Sequence, residues 1–356
     1  QMLPYLTILL LVLMSVIYDK SKVEKPIYYL LCIILLFFSA FRVGGTGPDD
    51  YDVYLRLYSH VKSWIDVIDP DIHAEIGFRL LSYFGNIFSL DPQFIIIAMA
   101  LLAFVSISLV ISKQSYYPIL SLLIWLPYFL TMNMHSSRVS VSAGFGLLCI
   151  NAYIHSNKFR TAVFFFIALS FHSSALILLI LPLTKLSYRT LIGTLFFATM
   201  LATLLNIFSA IASVFSTLGY SKIAWAIENY QSSSDYGYSM SIYDPRILLS
   251  LLICLLIYNI RHSINVKVDH YYFKTYYIGT IILIAFSSVT ILSWRLSYFY
   301  LITSVLVVPK ISYYYNVRLF KSLNHVRLMT LFMSIIYAIY TVSFIVIAQP
   351  YSFYFF

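Results

Sequence analysis

The sequence predicts an all-α polytopic membrane protein of about 11–12 transmembrane helices with partly helical outer loops. Charged residues make up only 10 % of the 356, whereas soluble domains carry about 25 %. Hydrophobic residues reach 61 %, and apolar runs recur along the whole length, spaced at roughly 30 residues per span plus loop. A soluble enzyme is excluded by this composition. The net charge of +9 would point to nucleic acid in a soluble domain. In a membrane protein the Lys and Arg report sidedness instead, and no nucleic-acid partner is expected.

Taken in order, the predicted spans are 3–18, 27–41, 93–112, 117–133, 138–154, 161–183, 190–210, 246–260, 275–293, 296–309 and 328–348. The first has no basic segment before it and no small-residue cleavage site after it, so it reads as a retained span. Several spans are short for a bilayer core of about 30 Å, which calls for tilted or protein-buried helices. Lys20, Lys22 and Lys25 in the first linker, then Lys113, Lys158 and Arg160, place those linkers inside. Lys185 and Arg189 also belong inside, so 161–183 cannot be one straight crossing. A hairpin with its tip at Phe171, His172, Ser173 and Ser174 restores the parity. The rival solution makes 161–183 a full span and adds another near Ala212 to Ile227, at the cost of moving Lys185 and Arg189 outside and Lys222 into lipid.

With the hairpin, 15 of the 23 Lys and Arg and 3 of the 14 acids lie inside, a balance of +12 against −3 outside, and Lys321 counts among the inner set. The outer acids fall in two long loops, about 42–92 and about 212–245, and long loops in a tightly wound membrane protein tend to carry function. In the first, Tyr51 to Val67 and Ala74 to Leu90 space their apolar residues as interfacial helices do. In the second, the Gln231 to Met240 stretch is polar and rich in tyrosine. The chain is otherwise read as one continuous transmembrane domain. Cys32, Cys149 and Cys254 lie far apart within apolar runs and read as small buried residues.

Walker A, dinucleotide, zinc-protease and nucleophile-elbow motifs are all missing, so the energy for any reaction comes from the substrate or a gradient. Asp50-Tyr51-Asp52 resembles the Asp-x-Asp of soluble nucleotide-sugar enzymes, but no nucleotide domain surrounds it. As a metal motif it is therefore weak, and the residues themselves point to no cofactor. His172 interrupts a 23-residue apolar run, and a polar group at membrane depth is a functional candidate. A neutral imidazole there suits a general base, and packing glue between helices is its structural alternative. Arg138 and Arg295 open two spans at the outer face, with Arg42 and Arg79 in the adjoining loop. Guanidinium pairs match phosphate oxygens, so these four suggest a diphosphate clamp, and headgroup snorkelling is the alternative for the first two. Glu75 stands where it can cap a helix, bind sugar hydroxyls or hold Arg79. His60, His73 and His135 read as solvated loop residues. Most of the 32 tyrosines suit interface anchoring, and the rest suit stacking on sugar rings.

These pieces, in order, resemble the EpsG and Wzy group of polysaccharide polymerases: Arg42-Val-Gly-Gly, Asp49-Asp50-Tyr51 with Tyr54, Glu75-Ile-Gly-Phe, Asn133 with Arg138, Asn157-Lys-Phe-Arg, Phe171-His-Ser-Ser, and Arg295-Leu-Ser-Tyr298. One departure is Val139, where relatives often carry Gln. The resemblance covers roughly residues 40–300. It implies a fold like that of the C-type integral-membrane glycosyltransferases and a metal-independent enzyme in the bacterial cytoplasmic (inner) membrane, its active site facing the periplasm. Such an enzyme joins undecaprenyl-diphosphate-linked oligosaccharide repeats into O-antigen or a related surface polysaccharide by inverting transfer. It also implies His172, Asp50 and Glu75 as catalytic groups, Arg138, Arg295, Arg42 and Arg79 on the diphosphate, and Tyr51, Asn133 and Tyr298 on substrate. Membrane lipids and a chain-length regulator protein are candidate partners. A glycolipid flippase or transporter and an O-antigen ligase are the rival readings.

Overall fold

The computed structural model describes residues 2–47, 50–204, 207–217, 219–232, 238–318 and 327–355. Asp49, Lys321 and the stretch 233–237 of the second outer loop, all used above, lie outside the described residues. In chain order the elements are α1 (Leu3–Ser15), α2 (Glu24–Ala40), β1 (Arg42–Val43), α3 (Asp50–His60), α4 (Trp64–Ile68), α5 (Ile76–Ile87), α6 (Gln93–Gln114), α7 (Pro118–Tyr128), α8 (Ser137–Ile154) and α9 (Lys158–Phe171). They continue with a 3-10 segment (Ser173–Lys185), α10 (Tyr188–Leu204), α11 (Ile207–Thr217), α12 (Ser221–Ser232), α13 (Pro245–Ile260), α14 (Lys267–Ala285), α15 (Thr290–Leu301), α16 (Ser304–Arg318), α17 (Leu328–Ile347) and β2 (Ser352–Phe353). The chain is thus a helical, multi-pass membrane protein.

Local chemistry explains many of the boundaries. Pro118 and Pro245 open α7 and α13, where a missing N–H costs nothing. The Asn157 and Asp244 side chains accept from the N–H groups of Arg160 and Arg246 at 3.0 and 2.9 Å. Pro127 lies near the end of α7 and is followed by a π-helical turn, Phe129–Asn133. Proline removes one ladder donor, and π turns accompany such disturbances, often at functional sites.

Of the expected 11–12 transmembrane helices, length and composition support a smaller number among the described residues. Among the described residues, α6, the stretch Pro245–Ser263 and α17 are long and apolar enough to cross a membrane, and the bent pair α15 with α16 makes up to four. Other apolar helices are short, such as Pro118–Asn133 and Tyr188–Leu204. Hydropathy marks where a segment is apolar and not how long it stays helical. The expected span 296–309 shows this most plainly, because α15 starts earlier, at Thr290, and stops at Leu301 before α16 begins at Ser304. The run 161–183 breaks at the expected place: α9 ends at Phe171 and His172 is extended, with φ −159° and ψ 130°. The first outer loop is helical as expected, with a break at 61–63 that divides α3 from α4.

Contacts divide the chain into two compact units, Gln1–Leu178 with Ser304–Phe356, and Leu179–Thr303. In the first, α8 packs between α6 and α9, and α5 lies on α9. Tyr54, Phe78, Ile95, Met99, Val141 and Phe171 meet in its buried core. Gly77 permits the α5 contact, since a Cβ there would lie 2.7 Å from the Ser170 hydroxyl. β1 pairs antiparallel with β2, Arg42 opposite Phe353. In the second unit α14 packs against α10, α13 and α15, and the Tyr277 hydroxyl donates to the Cys254 carbonyl at 2.6 Å. Cys149 and Cys254 are buried and all three cysteines are free.

Candidate functional site

The polar centre of the first unit forms where the loop after α2 meets the loop before α8. Gly45 lies so close to the Met134 carbonyl that a Cβ would come within 2.5 Å of it, and the Thr46 N–H donates to the same carbonyl at 3.0 Å. Only glycine permits that approach without displacing backbone. The two loops are thereby held together, one carrying Arg42 and the other Asn133 to Arg138.

Arg42 is 1 % exposed. Its Nη2 donates to the Ser137 hydroxyl at 2.8 Å, its Nη1 donates to the Gly44 carbonyl, and its guanidinium lies 5.7 Å from the Tyr51 ring centre. No carboxylate among the described residues forms a salt bridge with it. Burial lowers its pKa to about 10, an effect partly offset by the nearby tyrosines and Asp50, so the group stays charged at neutral pH. A buried cation without a counter-ion costs several kcal/mol, which an arriving anion would recover. Gln93 fixes this corner: its amide donates to the carbonyls of Ala40 and Arg42 at 2.9 and 3.0 Å, and its oxygen accepts from the Tyr51 hydroxyl at 2.6 Å.

Arg138 occupies the first turn of α8 and pairs with Glu75 at 2.7 Å, the two side chains 22 % and 23 % exposed. Its guanidinium lies 5.7 Å from the Tyr54 ring centre and 5.9 Å from that of Phe78. Three sequence expectations change here. Arg138 does not snorkel, because Glu75 and two rings hold it. Glu75 sits at the N-cap of α5 but makes no side-chain cap. Nor does it hold Arg79, whose Nη1 instead donates to the Asp69 carbonyl.

Asp50, at the start of α3, accepts from the Ser136 hydroxyl at 3.3 Å and lies 3.9 Å from His135 Nδ1. His135 is therefore no solvated loop residue, as the sequence suggested; its side chain is 30 % exposed and meets a carboxylate. Burial, then the Asp50 charge, raises the Tyr54 phenol, and Arg138 opposes the shift. Asn133 is 3 % exposed and its oxygen accepts from the Ser140 hydroxyl. The Nε atoms of Arg42, Arg79 and Arg138 and the Nδ2 of Asn133 are buried without a hydrogen-bond partner among the described residues. Those of Arg42, Arg138 and Asn133 lie in one region and form a surplus that acceptor oxygens would satisfy.

His172 is half-buried between α9 and the 3-10 segment, and its Nδ1 accepts from the Ser174 N–H at 3.2 Å. In the neutral ring that contact leaves the proton on Nε2, which makes Nε2 a donor. The preceding Phe171 belongs to the core beneath Tyr54 and Phe78. Arg295 and Tyr298 lie on α15, in the second unit, where Arg295 is half-buried and Tyr298 is 0 % exposed. The Asp50, Glu75, Arg42, Arg138, Tyr51 and Asn133 expected from the sequence thus share one region of the first unit.

Sequence reasoning missed His135, Ser136, Ser137 and Gln93. The available signal was the polar run Asn133-Met-His-Ser-Ser-Arg138 directly after an apolar span. No group of three or more metal-binding side chains occurs among the described residues. The model of the EpsG family matches residues 25–355, nearly the whole chain. No curated protein and no solved structure matches it.

Proposed function

Because the chain belongs to the EpsG family, we propose that it polymerises undecaprenyl-diphosphate-linked oligosaccharide repeats into O-antigen or a related surface polysaccharide. Transfer takes place at the outer face of the cytoplasmic membrane, with inversion at the anomeric carbon. The observation that carries this reading is Arg42, a charged group sealed inside the protein and hydrogen-bonded to Ser137, the residue before Arg138, with no carboxylate of its own among the described residues. A diphosphate supplies the missing negative charge and accepts from the orphaned Nε donors.

In this reading Arg42 and Arg138 hold the diphosphate and stabilise the charge that builds as the glycosyl bond breaks, with Arg79 as a further contact. Tyr51 and Tyr54 present ring faces near the two guanidiniums. Glu75 aims Arg138, and Asn133 is the remaining substrate contact. His172 serves through Nε2–H as a donor to a substrate oxygen, since its Nδ1 is already engaged. The energy comes from the donor's own glycosyl diphosphate bond, which agrees with the missing nucleotide motifs.

Purified protein given lipid-linked single repeats will produce a ladder of longer glycans without added metal or nucleotide. A deletion strain will display surface glycans of one repeat. If that strain displays no attached glycan the protein is a ligase, and if repeats accumulate inside the cell it is a flippase. Either result overturns the polymerase reading.

A further inference from the structure

Inverting transfer needs a group that takes the proton of the attacking hydroxyl, and the contacts of the other candidates leave that role open. Glu75 is committed to Arg138 at 2.7 Å, and His172 presents a donor. We propose that His135, oriented by Asp50, is the proton acceptor. This rests on the glycosyl-transfer reading given above.

Three features place His135 for this work. Its Nδ1 is buried and faces the Asp50 carboxylate at 3.9 Å, while the side chain as a whole is 30 % exposed, so the exposure falls on atoms other than Nδ1. The separation is longer than a hydrogen bond, and such contacts commonly tighten only when substrate is bound. The ring lies flush against Gly47, where a Cβ would come 2.6 Å from Cε1, 2.8 Å from Nδ1 and 3.0 Å from Nε2. Gly47 therefore leaves room for the ring in a way no other residue type does. Asp50 is itself held by the Ser136 hydroxyl at 3.3 Å. A carboxylate opposite Nδ1 favours the Nδ1–H tautomer, which leaves Nε2 as the base. This is the orienting logic found wherever a histidine activates a hydroxyl.

The step balances without an outside reagent. The acceptor hydroxyl gives its proton to His135 Nε2 as its oxygen forms the new bond to the anomeric carbon. The bond from that carbon to the diphosphate oxygen breaks, and the electron pair leaves on the diphosphate beside Arg42 and Arg138. Asp50 stabilises the imidazolium, which returns its proton to water or to the departing diphosphate.

The test uses the full chain in detergent with lipid-linked repeats, and undecaprenyl diphosphate as the binding probe. H135Q should lower kcat by about a hundredfold or more while undecaprenyl diphosphate still binds, and free imidazole should restore part of the H135A rate. D50N should lower kcat less than H135Q and leave probe binding intact. G47A, whose Cβ would press first on the ring, should reduce kcat with the donor KM held. Wild-type turnover by H135Q overturns the assignment, as does loss of probe binding equal to that of R42Q, which would make His135 part of the diphosphate site. Failure of the wild-type protein to elongate or to bind the probe would instead remove the polymerase reading, so the two failures are separable.

Discussion

Arg138 and Glu75 are 63 residues apart in sequence and meet at 2.7 Å, and the pair does more than neutralise charge. Two ring faces and a carboxylate fix the guanidinium plane, so its remaining donors point in set directions. Arg138→Lys keeps the charge and loses that fork. We expect the variant to remain folded by size exclusion and to lose about a hundredfold in kcat, the scale of one missing transition-state donor; turnover within a fewfold of wild type would remove Arg138 from the clamp. The charged members of this cluster were legible in the sequence because charges are so scarce, 10 % of residues, that each one in an outer loop of an apolar chain demands a reason. His135 was not legible. A histidine between polar neighbours looks solvated, and only the close approach of Gly47 and Asp50, far away in the chain, gives it a different environment.

Among the elements, the loop that carries Arg42 is fastened from several sides: β1 pairs with β2, the Gln349 N–H donates to Thr46 at 3.0 Å, and Gln93 holds two carbonyls at its base. Gln93→Leu has nearly the same volume but leaves those carbonyls unsatisfied, at about 1 to 3 kcal/mol. The expected outcome is a lower Tm in detergent together with a raised donor KM, because Arg42 loses its support; an unchanged KM would mean that the loop is set by the strand pair alone. The far end of α7 is held differently. Asp19, fully buried, accepts from the N–H groups of Ile119 and Leu120 at 2.9 and 2.8 Å, a cap supplied from a distant linker. Burial raises its pKa from 3.8 to about 7 against the pull of those N–H groups. A carboxyl whose folded pKa lies above its unfolded value binds its proton more tightly in the folded state, so its contribution is fullest below about pH 4 and is lost as the pH rises to about 7. Thermal unfolding at pH 5 and pH 7.5 should show a larger loss of Tm in wild type than in Asp19→Asn; equal losses would refute the assignment. The sequence showed α3, α5, α6 and α17 through their periodicity and length. It did not show the π turn after Pro127 or the stop at Leu301, because backbone breaks inside an apolar run leave hydropathy unchanged.

Across the first unit, the two kinds of polar cluster sit at opposite ends of one apolar rod. α7 with its π turn spans 118–133, about 24 Å at 1.5 Å per residue, shorter than a hydrocarbon core of about 30 Å. At its first end are Asp19, Lys20 and Arg327, the last two with their charges 5.5 and 5.9 Å from the Tyr117 ring centre. At its other end Asn133 lies beside Arg42 and the acidic loop. If this rod crosses, the basic linker and the arginine site lie on opposite membrane faces, which is what the charge division expected from the sequence, +12 against −3, requires. Labelling of single cysteines checks it, in a chain whose Cys32, Cys149 and Cys254 are replaced by serine. Asp71→Cys, on the exposed part of the first outer loop, should react with an impermeant maleimide in intact cells, and Lys22→Cys, in the exposed first linker, only after permeabilisation. Equal reactivity of both in intact cells would refute the two-ended arrangement. The reverse pattern would keep the rod but turn the arginine site toward the cytoplasm, where nucleotide sugars are made, and would remove the ground for a donor already carried across the membrane on a lipid diphosphate.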